Sequence, residues 1–173
     1  GPLKKYPRPE PLTRAAKAAA AGDVEMLRRL SKDQLTAPDD TRNTPLHWAA
    51  DSGKGEAVAW LIEAGASLDA RGFLGATAVC RAARKGHIWA LQELLVAGAD
   101  VDLANDKMQS PLHFAAFKKR PEAVDALLAA GASPFVLDRK GRTPAEDTSD
   151  EAIRDMILEA QSEIRSGKPT ELI

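Results

Sequence analysis

Asn43-Thr44-Pro45-Leu46-His47-Trp48-Ala49-Ala50 returns, nearly unchanged, as Gln109-Ser110-Pro111-Leu112-His113-Phe114-Ala115-Ala116. The threonine and the serine lie 110 − 44 = 66 residues apart, which is two steps of 33. Halfway between the two copies stands Ala76-Thr77-Ala78-Val79-Cys80-Arg81-Ala82-Ala83. A second motif, Gly-Ala followed by Ser or Asp, keeps the same step at Gly65, Gly98 and Gly131. Two motifs in one register predict a chain built from stacked repeats.

Each repeat has the pattern of two helices. Thr44 is suited to cap the first helix, and Pro45 to occupy its first turn, where no backbone N–H is required. The second helix carries an apolar stripe at the i, i+3, i+4 spacing of a buried face. That stripe comprises Val58, Leu61 and Ile62, then Leu91, Leu94 and Leu95, then Val124, Leu127 and Leu128. Because one repeat cannot bury its apolar faces alone, neighbouring repeats must stack.

The motifs Thr44-Pro45-Leu46-His47 and Ser110-Pro111-Leu112-His113 resemble those of the ankyrin-repeat family. The resemblance implies an all-α solenoid of helix-turn-helix units with short β-turn or hairpin fingers. It implies a single domain over 12–165, whose parts are an N-terminal capping pair of helices at 12–38, repeats at 39–71, 72–104 and 105–137, and a C-terminal capping unit at 138–165.

The two ends of the chain are expected to be less regular. Residues 1–11 are proline-rich and predict an extended lead-in, which begins with Gly1-Pro2, a dipeptide that resembles the remnant of a protease cleavage site. Residues 166–173 are expected to form a frayed tail. In the last helix, Ile153, Ile157 and Ile164 are predicted to face inwards.

The middle repeats depart from the family pattern. Ala78 replaces the motif proline, and Cys80 replaces the motif histidine. Gly72 stands where an aspartate usually opens the turn, and Met108 stands where a turn glycine is usual. Lys119 replaces the glycine between the two helices, so the third repeat is predicted to have an altered inter-helix turn.

Composition excludes several classes of protein. The chain has 173 residues, of which 44% are hydrophobic, and 24 basic against 25 acidic residues give a net charge of −1. This balance argues against a dedicated binder of nucleic acid or of anionic membranes. Cys80 is the only cysteine, which excludes an intrachain disulfide and favours a reducing compartment. The cytoplasm is the default expectation, with the nucleus and an organelle matrix left open.

The candidate chemical groups point to structure rather than catalysis. The resemblance implies that His47 and His113 bond the neighbouring threonine or serine and the backbone between units. Neighbouring packed helices lie about 8–10 Å apart, so these histidines and Cys80 are too dispersed to meet on one zinc ion. No phosphate-binding loop and no nucleophile–base pair is recognisable. We therefore expect a non-catalytic module without cofactor or metal.

The resemblance implies that a protein partner binds to the fingers and first helices, on a concave face. The candidates read in that register are the apolar residues Phe73, Leu74, Met108 and Phe117, and the basic residues Arg81, Arg84, Lys85, Lys107, Lys118, Arg139, Lys140 and Arg142. The first repeat is instead acidic, through Asp39, Asp40 and Asp51. This composition predicts a partner segment that is acidic and carries one or two apolar anchors. The module itself would be a monomer or part of a hetero-complex, as an adaptor or complex subunit.

Alternative interpretations remain open at this point. Phe73 and Leu74 could fold back on the neighbouring turn, and the basic residues could be an ordinary solvated surface. The module could also be a targeting factor or chaperone that holds a hydrophobic client, or a basic-groove nucleic-acid binder.

Trp48 and Trp60 are interpreted as packing residues, whereas Trp89 is predicted to face solvent on the convex side. Gly55 occupies a position where an aliphatic residue is usual.

Overall fold

The computed structural model of the protein describes residues 8–167, and these form a row of short helices. The described part of the lead-in, residues 8–11, is not helical, and residues 1–7 and 168–173 of the predicted ends lie outside the described residues. No helix within 8–167 is long and apolar enough to cross a membrane. The helices are α1 (Arg14–Ala21), α2 (Val24–Leu27), α3 (Lys32–Thr36), α4 (Pro45–Asp51), α5 (Gly55–Glu63), α6 (Ala78–Lys85), α7 (Ile88–Val96), α8 (Pro111–Phe117), α9 (Pro121–Ala129) and α10 (Glu151–Ser166).

The helices stack in two layers. The first helices of the repeats, α4, α6 and α8, pack against one another in sequence, and the second helices, α5, α7 and α9, do the same behind them. Helix α1 covers α4 at one end, and α10 covers α9 at the other. No strand occurs in the part of the chain that the structure describes. The predicted all-α solenoid is therefore confirmed.

Small side chains let the layers approach closely. Ala49, Ala82 and Ala115 are fully buried at equivalent positions of the first helices. In the second helices the first two members of each predicted stripe are fully buried, whereas the third is partly buried. Leu61, Leu94 and Leu127 fill the centre of the stack as one continuous core. At about 25 cal/mol per Å² of buried apolar surface, this packing is the main source of stability.

The two capping units differ from the prediction in detail. The N-terminal unit has a third short helix, α3, whose capping box is formed by Ser31 and Gln34. Helix α10 has 16 residues and α9 has nine, so at 1.5 Å per residue α10 is about 10 Å longer than its neighbour. Ile153 and Ile157 are buried as predicted, but Ile164, in the last turn of α10, is exposed. The inward assignment of Ile164 was wrong because the core ends before this turn.

The turn between α8 and α9 has the same geometry as its equivalents. Lys119 adopts the left-handed conformation, with φ of 57°, as Gly53 and Gly86 do with φ of 71° and 70°. The backbone hydrogen bonds are also equivalent, since Lys119 N–H reaches Ala116 as Gly53 N–H reaches Ala50. The altered turn predicted for the third repeat is therefore absent, and the lysine accepts a conformation that suits glycine better.

Candidate protein-binding surface

The fingers that connect the repeats are joined by their backbones. Asp106 N–H donates to the carbonyl of Leu74 at 3.0 Å, and Arg139 N–H donates to the carbonyl of Lys107 at 3.1 Å. The Arg139 guanidinium also bonds the carbonyl of Asp106. Three successive fingers therefore form one connected ledge. Side chains on this ledge are held at fixed spacings rather than on independent loops.

A carboxylate or amide at the start of each regular finger shapes it. In the first finger, Asp39 Oδ1 accepts the N–H groups of Thr41 and Asn43 at 2.9 and 3.0 Å. Its second oxygen accepts the indole N–H of Trp48 at 3.0 Å. Although partial burial raises the pKa of Asp39, these hydrogen bonds outweigh it and lower the pKa. Asn105 and Asp138 shape their own fingers in the same way.

The middle finger is built differently because Gly72 has no side chain to accept these bonds. The buried side chain of Asn43, from the preceding repeat, accepts Phe73 N–H at 2.9 Å instead. A Cβ at position 72 would lie 2.3 Å from Asn43 Oδ1, so the glycine is required for this contact. The finger closes as a 3-10 turn over Phe73–Gly75, in which Leu74 has a φ of 57°. The contact between Asn43 and Gly72 joins two repeats and was not predicted from the sequence.

Three of the four predicted apolar contact residues stand out from this surface. Leu74 is 57% exposed, Met108 is 53% exposed and Phe117 is 56% exposed. Phe73 is half-buried, which agrees in part with the alternative that it folds back. We define the finger surface as Leu74, Met108 and Phe117 together with the basic side chains beside them.

Part of the predicted basic surface is neutralised internally. Arg81 Nε lies 2.9 Å from Asp51 Oδ1, and its side chain is only 14% exposed. Lys85 Nζ lies 3.4 Å from the other oxygen of Asp51. The acidic first repeat and the basic second repeat thus share an ion-pair cluster, which reduces the charge asymmetry that the sequence suggested. Arg142 is likewise engaged, with Asp138 at 3.5 Å and Asp147 at 2.9 Å.

Other basic residues lie over aromatic rings or in solvent. The Arg84 guanidinium lies 5.8 Å from the centre of the Phe114 ring, and the Lys118 ammonium lies 5.4 Å from the centre of the Phe117 ring. Both cations are exposed, and Lys118 lies beside Phe117 of the finger surface. Lys107, Arg139 and Lys140 are exposed on the neighbouring fingers. The finger surface is therefore apolar with a basic border.

The motif histidines bond between repeats. His47 Nδ1 lies 3.0 Å from Thr44 N and 2.9 Å from Thr44 Oγ1, while Nε2 lies 2.9 Å and 3.0 Å from the carbonyls of Ala70 and Ala76. Burial, and then the charge of Arg81, lowers the pKa of His47 to about 4 despite these carbonyls. The imidazole is therefore neutral at pH 7. His113 makes the same pattern with Ser110 and the carbonyl of Arg142.

Cys80 occupies the histidine position of the middle repeat and is fully buried. Its thiol donates to the carbonyl of Leu103 at 3.4 Å, and its backbone N–H donates to Thr77 Oγ1 at 3.2 Å. Burial raises the pKa of the Cys80 thiol, so the reactive thiolate is disfavoured. The cysteine is a packing residue in this structure.

His113, Asp138 and Asp147 approach one another within 4.8 Å, a grouping of metal-ligating residue types. His113 Nε2 is, however, bonded to the carbonyl of Arg142 at 2.8 Å, and the Arg142 guanidinium contacts both carboxylates. The hydrogen bond of His113 and the positive charge of Arg142 disfavour a cation at this position. The cluster is an internal hydrogen-bond network that holds the last finger.

Comparison with known proteins agrees with this architecture. A family model described as ankyrin repeats, in 3 copies, matches residues 5–72 and 79–149. The match covers most of the chain, and the protein belongs to the ankyrin-repeat family. Its fold class is thereby settled, and the repeats define a module for protein–protein interaction.

Relatives with this domain differ widely in size and in name. A rice protein named probable E3 ubiquitin-protein ligase XBOS32 is 35% identical over 123 residues, which are 67% of this chain and 24% of the relative. Zebrafish putative palmitoyltransferase ZDHHC13 is 31% identical over 131 residues, which are 74% of this chain and 20% of the relative. Protein PhlB of Serratia liquefaciens is 34% identical over 131 residues, which are 75% of this chain and 58% of the relative. The chain therefore spans less than two thirds of each of these proteins.

Proposed function

We propose that the protein uses its finger surface to hold an acidic partner segment that carries one or two apolar anchors. The anchors would contact Leu74, Met108 and Phe117, and the acidic groups would meet Arg84, Lys107 and Lys118. The module would serve as the recognition part of an adaptor, of a complex subunit or of a longer protein.

The observation that carries this proposal is the exposure of Leu74 and Met108 on the connected ledge and of Phe117 at the end of α8. A partner that covers these side chains would remove their apolar surface from water, which favours binding. The fixed spacing of the fingers reduces the conformational entropy lost on binding. Aromatic and arginine side chains in one patch are typical of residues that dominate binding energy. Phe117 and Arg84 are therefore expected to contribute most to the binding energy.

Charge supports the acidic character of the partner. Arg84, Lys107, Lys118 and Lys140 are exposed and lack a carboxylate within ion-pair distance among the described residues. Such groups accelerate association with an acidic segment and fix its register. Arg81 and Arg142, which are held by internal carboxylates, are left out of the proposed contact set. Phe73, which is half-buried, is expected to support the finger rather than to anchor the partner.

The proposal is tested by selecting phage-displayed random 12-residue peptides on the chain. We expect the selected peptides to be rich in Asp and Glu and to contain one or two large apolar residues. A Leu74→Ser/Phe117→Ser variant should weaken the affinity for the best peptide at least tenfold, since each lost anchor is worth roughly 1–2 kcal/mol. Affinity is measured by fluorescence anisotropy.

The matched control is Leu158→Ser, which removes an exposed apolar side chain of α10 that is not part of the finger surface. The control should bind the selected peptide like the unmodified chain. Selected peptides that are apolar without acidic residues would instead support the hydrophobic-client alternative. Binding of single-stranded nucleic acid with a steep salt dependence would support the nucleic-acid alternative.

A further inference from the structure

The second helices present a different surface on the opposite layer. Residues 55–63, 88–96 and 121–129 contain two, one and two carboxylates and no lysine or arginine. Since α5, α7 and α9 pack side by side, their outward side chains form one continuous face. We name it the outer-helix face and define it by Glu56, Glu63, Trp89, Glu93, Glu122 and Asp125.

Trp89 stands at the centre of this face, between two glutamates. The positions equivalent to Trp89 are 89 − 33 = 56 and 89 + 33 = 122, and both are glutamate. Glu56 and Glu122 are exposed, and Trp89 is 58% exposed. Neighbouring packed helices lie about 8–10 Å apart, so one carboxylate stands on each side of the indole.

The indole is held in a fixed position. A Cβ at Gly55 would lie 2.2 Å from Trp89 Cδ2 and 2.4 Å from Cγ, so the ring covers the backbone of that glycine. The indole N–H donates to Glu93 Oε1 at 3.3 Å. Gly55 stands where the family pattern usually has an aliphatic residue, and its lack of a side chain leaves room for the indole ring. One side of the indole is occupied, and the other remains open to solvent.

Nearby basic side chains point elsewhere. Lys54, His87 and Arg120 precede the second helices, and each packs on a glycine of the preceding unit, at Gly22, Gly53 and Gly86. Arg120 Nε also donates to the carbonyl of Arg84 at 3.3 Å. These contacts direct the basic groups along the edge of the stack rather than over the indole.

We infer that the outer-helix face is a second docking surface, for a basic segment of a partner protein. A lysine or arginine of that segment lies over the open side of Trp89, between Glu56 and Glu122. An aromatic ring attracts a cation through its negative face, and the flanking carboxylates add Coulombic attraction at low salt. This surface is separate from the finger surface in position and opposite to it in charge, so it goes beyond the proposed function.

The test uses N-acetylated tetra-arginine amide as the probe, with tetra-glutamate as the reverse-charge peptide. Binding is followed by nuclear magnetic resonance through the indole N–H signal of Trp89, which is assigned by its disappearance in Trp89→Phe. We expect tetra-arginine to shift this signal and tetra-glutamate to leave it unchanged. The affinity of every variant is measured by fluorescence anisotropy of labelled tetra-arginine, because variants at position 89 lack the indole signal. Trp89→Leu should weaken tetra-arginine binding roughly three- to tenfold, whereas Trp89→Phe should retain part of the affinity.

Matched charge variants separate the local site from general electrostatics. Glu56→Gln/Glu122→Gln should weaken tetra-arginine several-fold, whereas Glu151→Gln/Glu159→Gln, which removes two exposed carboxylates from α10, should have little effect. Leu74→Ser/Phe117→Ser should leave tetra-arginine binding intact, so failure at one surface is distinguishable from failure at the other. Unchanged affinity in Trp89→Leu, or an equal loss in the α10 variant, would overturn the inference.

Discussion

The middle and third repeats depart from the family pattern at different places. The middle repeat keeps Gly86 in its inter-helix turn but has Cys80 at the histidine position. The third repeat keeps His113 but has Lys119 in that turn. Both repeats nevertheless have the same helix pair and the same turn hydrogen bonds. Neither feature is therefore needed for the shape of the repeat, and each is expected to affect stability instead.

The energetic roles of the two positions differ. His113 links a buried serine to the next repeat through two ring nitrogens, whereas Cys80 makes one weak thiol bond. In the inter-helix turn only backbone strain is at issue. A non-glycine residue in the left-handed conformation costs about 1–2 kcal/mol. The comparison predicts that substitution at the histidine position changes the free energy of unfolding more than substitution in the turn does.

The largest effect is expected at the histidine position. His113→Ala should lower the free energy of unfolding by about 2–4 kcal/mol, because it leaves a cavity and unpaired buried groups. Cys80→Ala should cost about 1 kcal/mol, since only a small apolar group and a weak bond are lost. Urea unfolding of both variants measures the difference, and equal losses would remove the distinction between the repeats.

Acid should destabilise the first repeat in a defined pH window. The pKa of His47 is about 4 in the folded chain, against an ordinary value of 6.5. Because the unfolded chain takes up the proton first, the stability that His47 contributes is complete above pH 6.5 and is lost as the pH falls towards 4. The loss is expected to be roughly 3 kcal/mol.

A variant of the first repeat that carries cysteine at the histidine position, as the middle repeat does, tests this prediction more sharply. His47→Cys should be less stable at pH 7, but its stability should fall less between pH 6.5 and 4, because a buried cysteine does not gain a proton there. The carboxylates with lowered pKa values, Asp39 and Asp138, act at lower pH and are common to both chains. Parallel pH profiles for the two chains would contradict the assignment to His47.

The smallest effect is expected in the third-repeat turn. Lys119→Gly should raise the free energy of unfolding by about 0.5–1 kcal/mol, because glycine adopts a φ of 57° without steric cost. Lys118→Gly is the matched control, since Lys118 is also exposed but has a φ of −81° and should be slightly destabilised by the change. Thermal unfolding distinguishes the two variants. A destabilised Lys119→Gly would show that the lysine side chain contributes contacts that offset the strain.

The two layers of helices also differ as surfaces. The first helices and fingers expose apolar and basic side chains, whereas the second helices expose carboxylates around Trp89. The proposed finger site and the inferred outer site therefore call for partner segments of opposite charge. A solenoid with two such faces could hold two partners at once, since neither surface shares a residue with the other.

Sequence reasoning predicted the succession of helix pairs because the motifs carry their own register. Thr44 and Ser110 begin helices, and the glycines after each second helix end them, through local hydrogen bonds that need no distant partner. The binding role of the candidate site stays a prediction, and the structure shows only how exposed its residues are. Leu74, Met108 and Phe117 are exposed as expected, but Phe73 is half-buried, and Arg81 and Arg142 are tied to carboxylates.

The amino-acid sequence by itself determined the family, the 33-residue step and the identity of the core stripe, because periodicity along the chain dictates which side chains share a helix face. Tertiary structure alone decided which charged groups neutralise one another and which glycine accommodates an indole. The Asp51–Arg81 pair, the Asn43–Gly72 contact and the Trp89–Gly55 contact each join two repeats. Such contacts depend on how one unit is placed on the next, and that placement arises only when the apolar faces of neighbouring units are buried together.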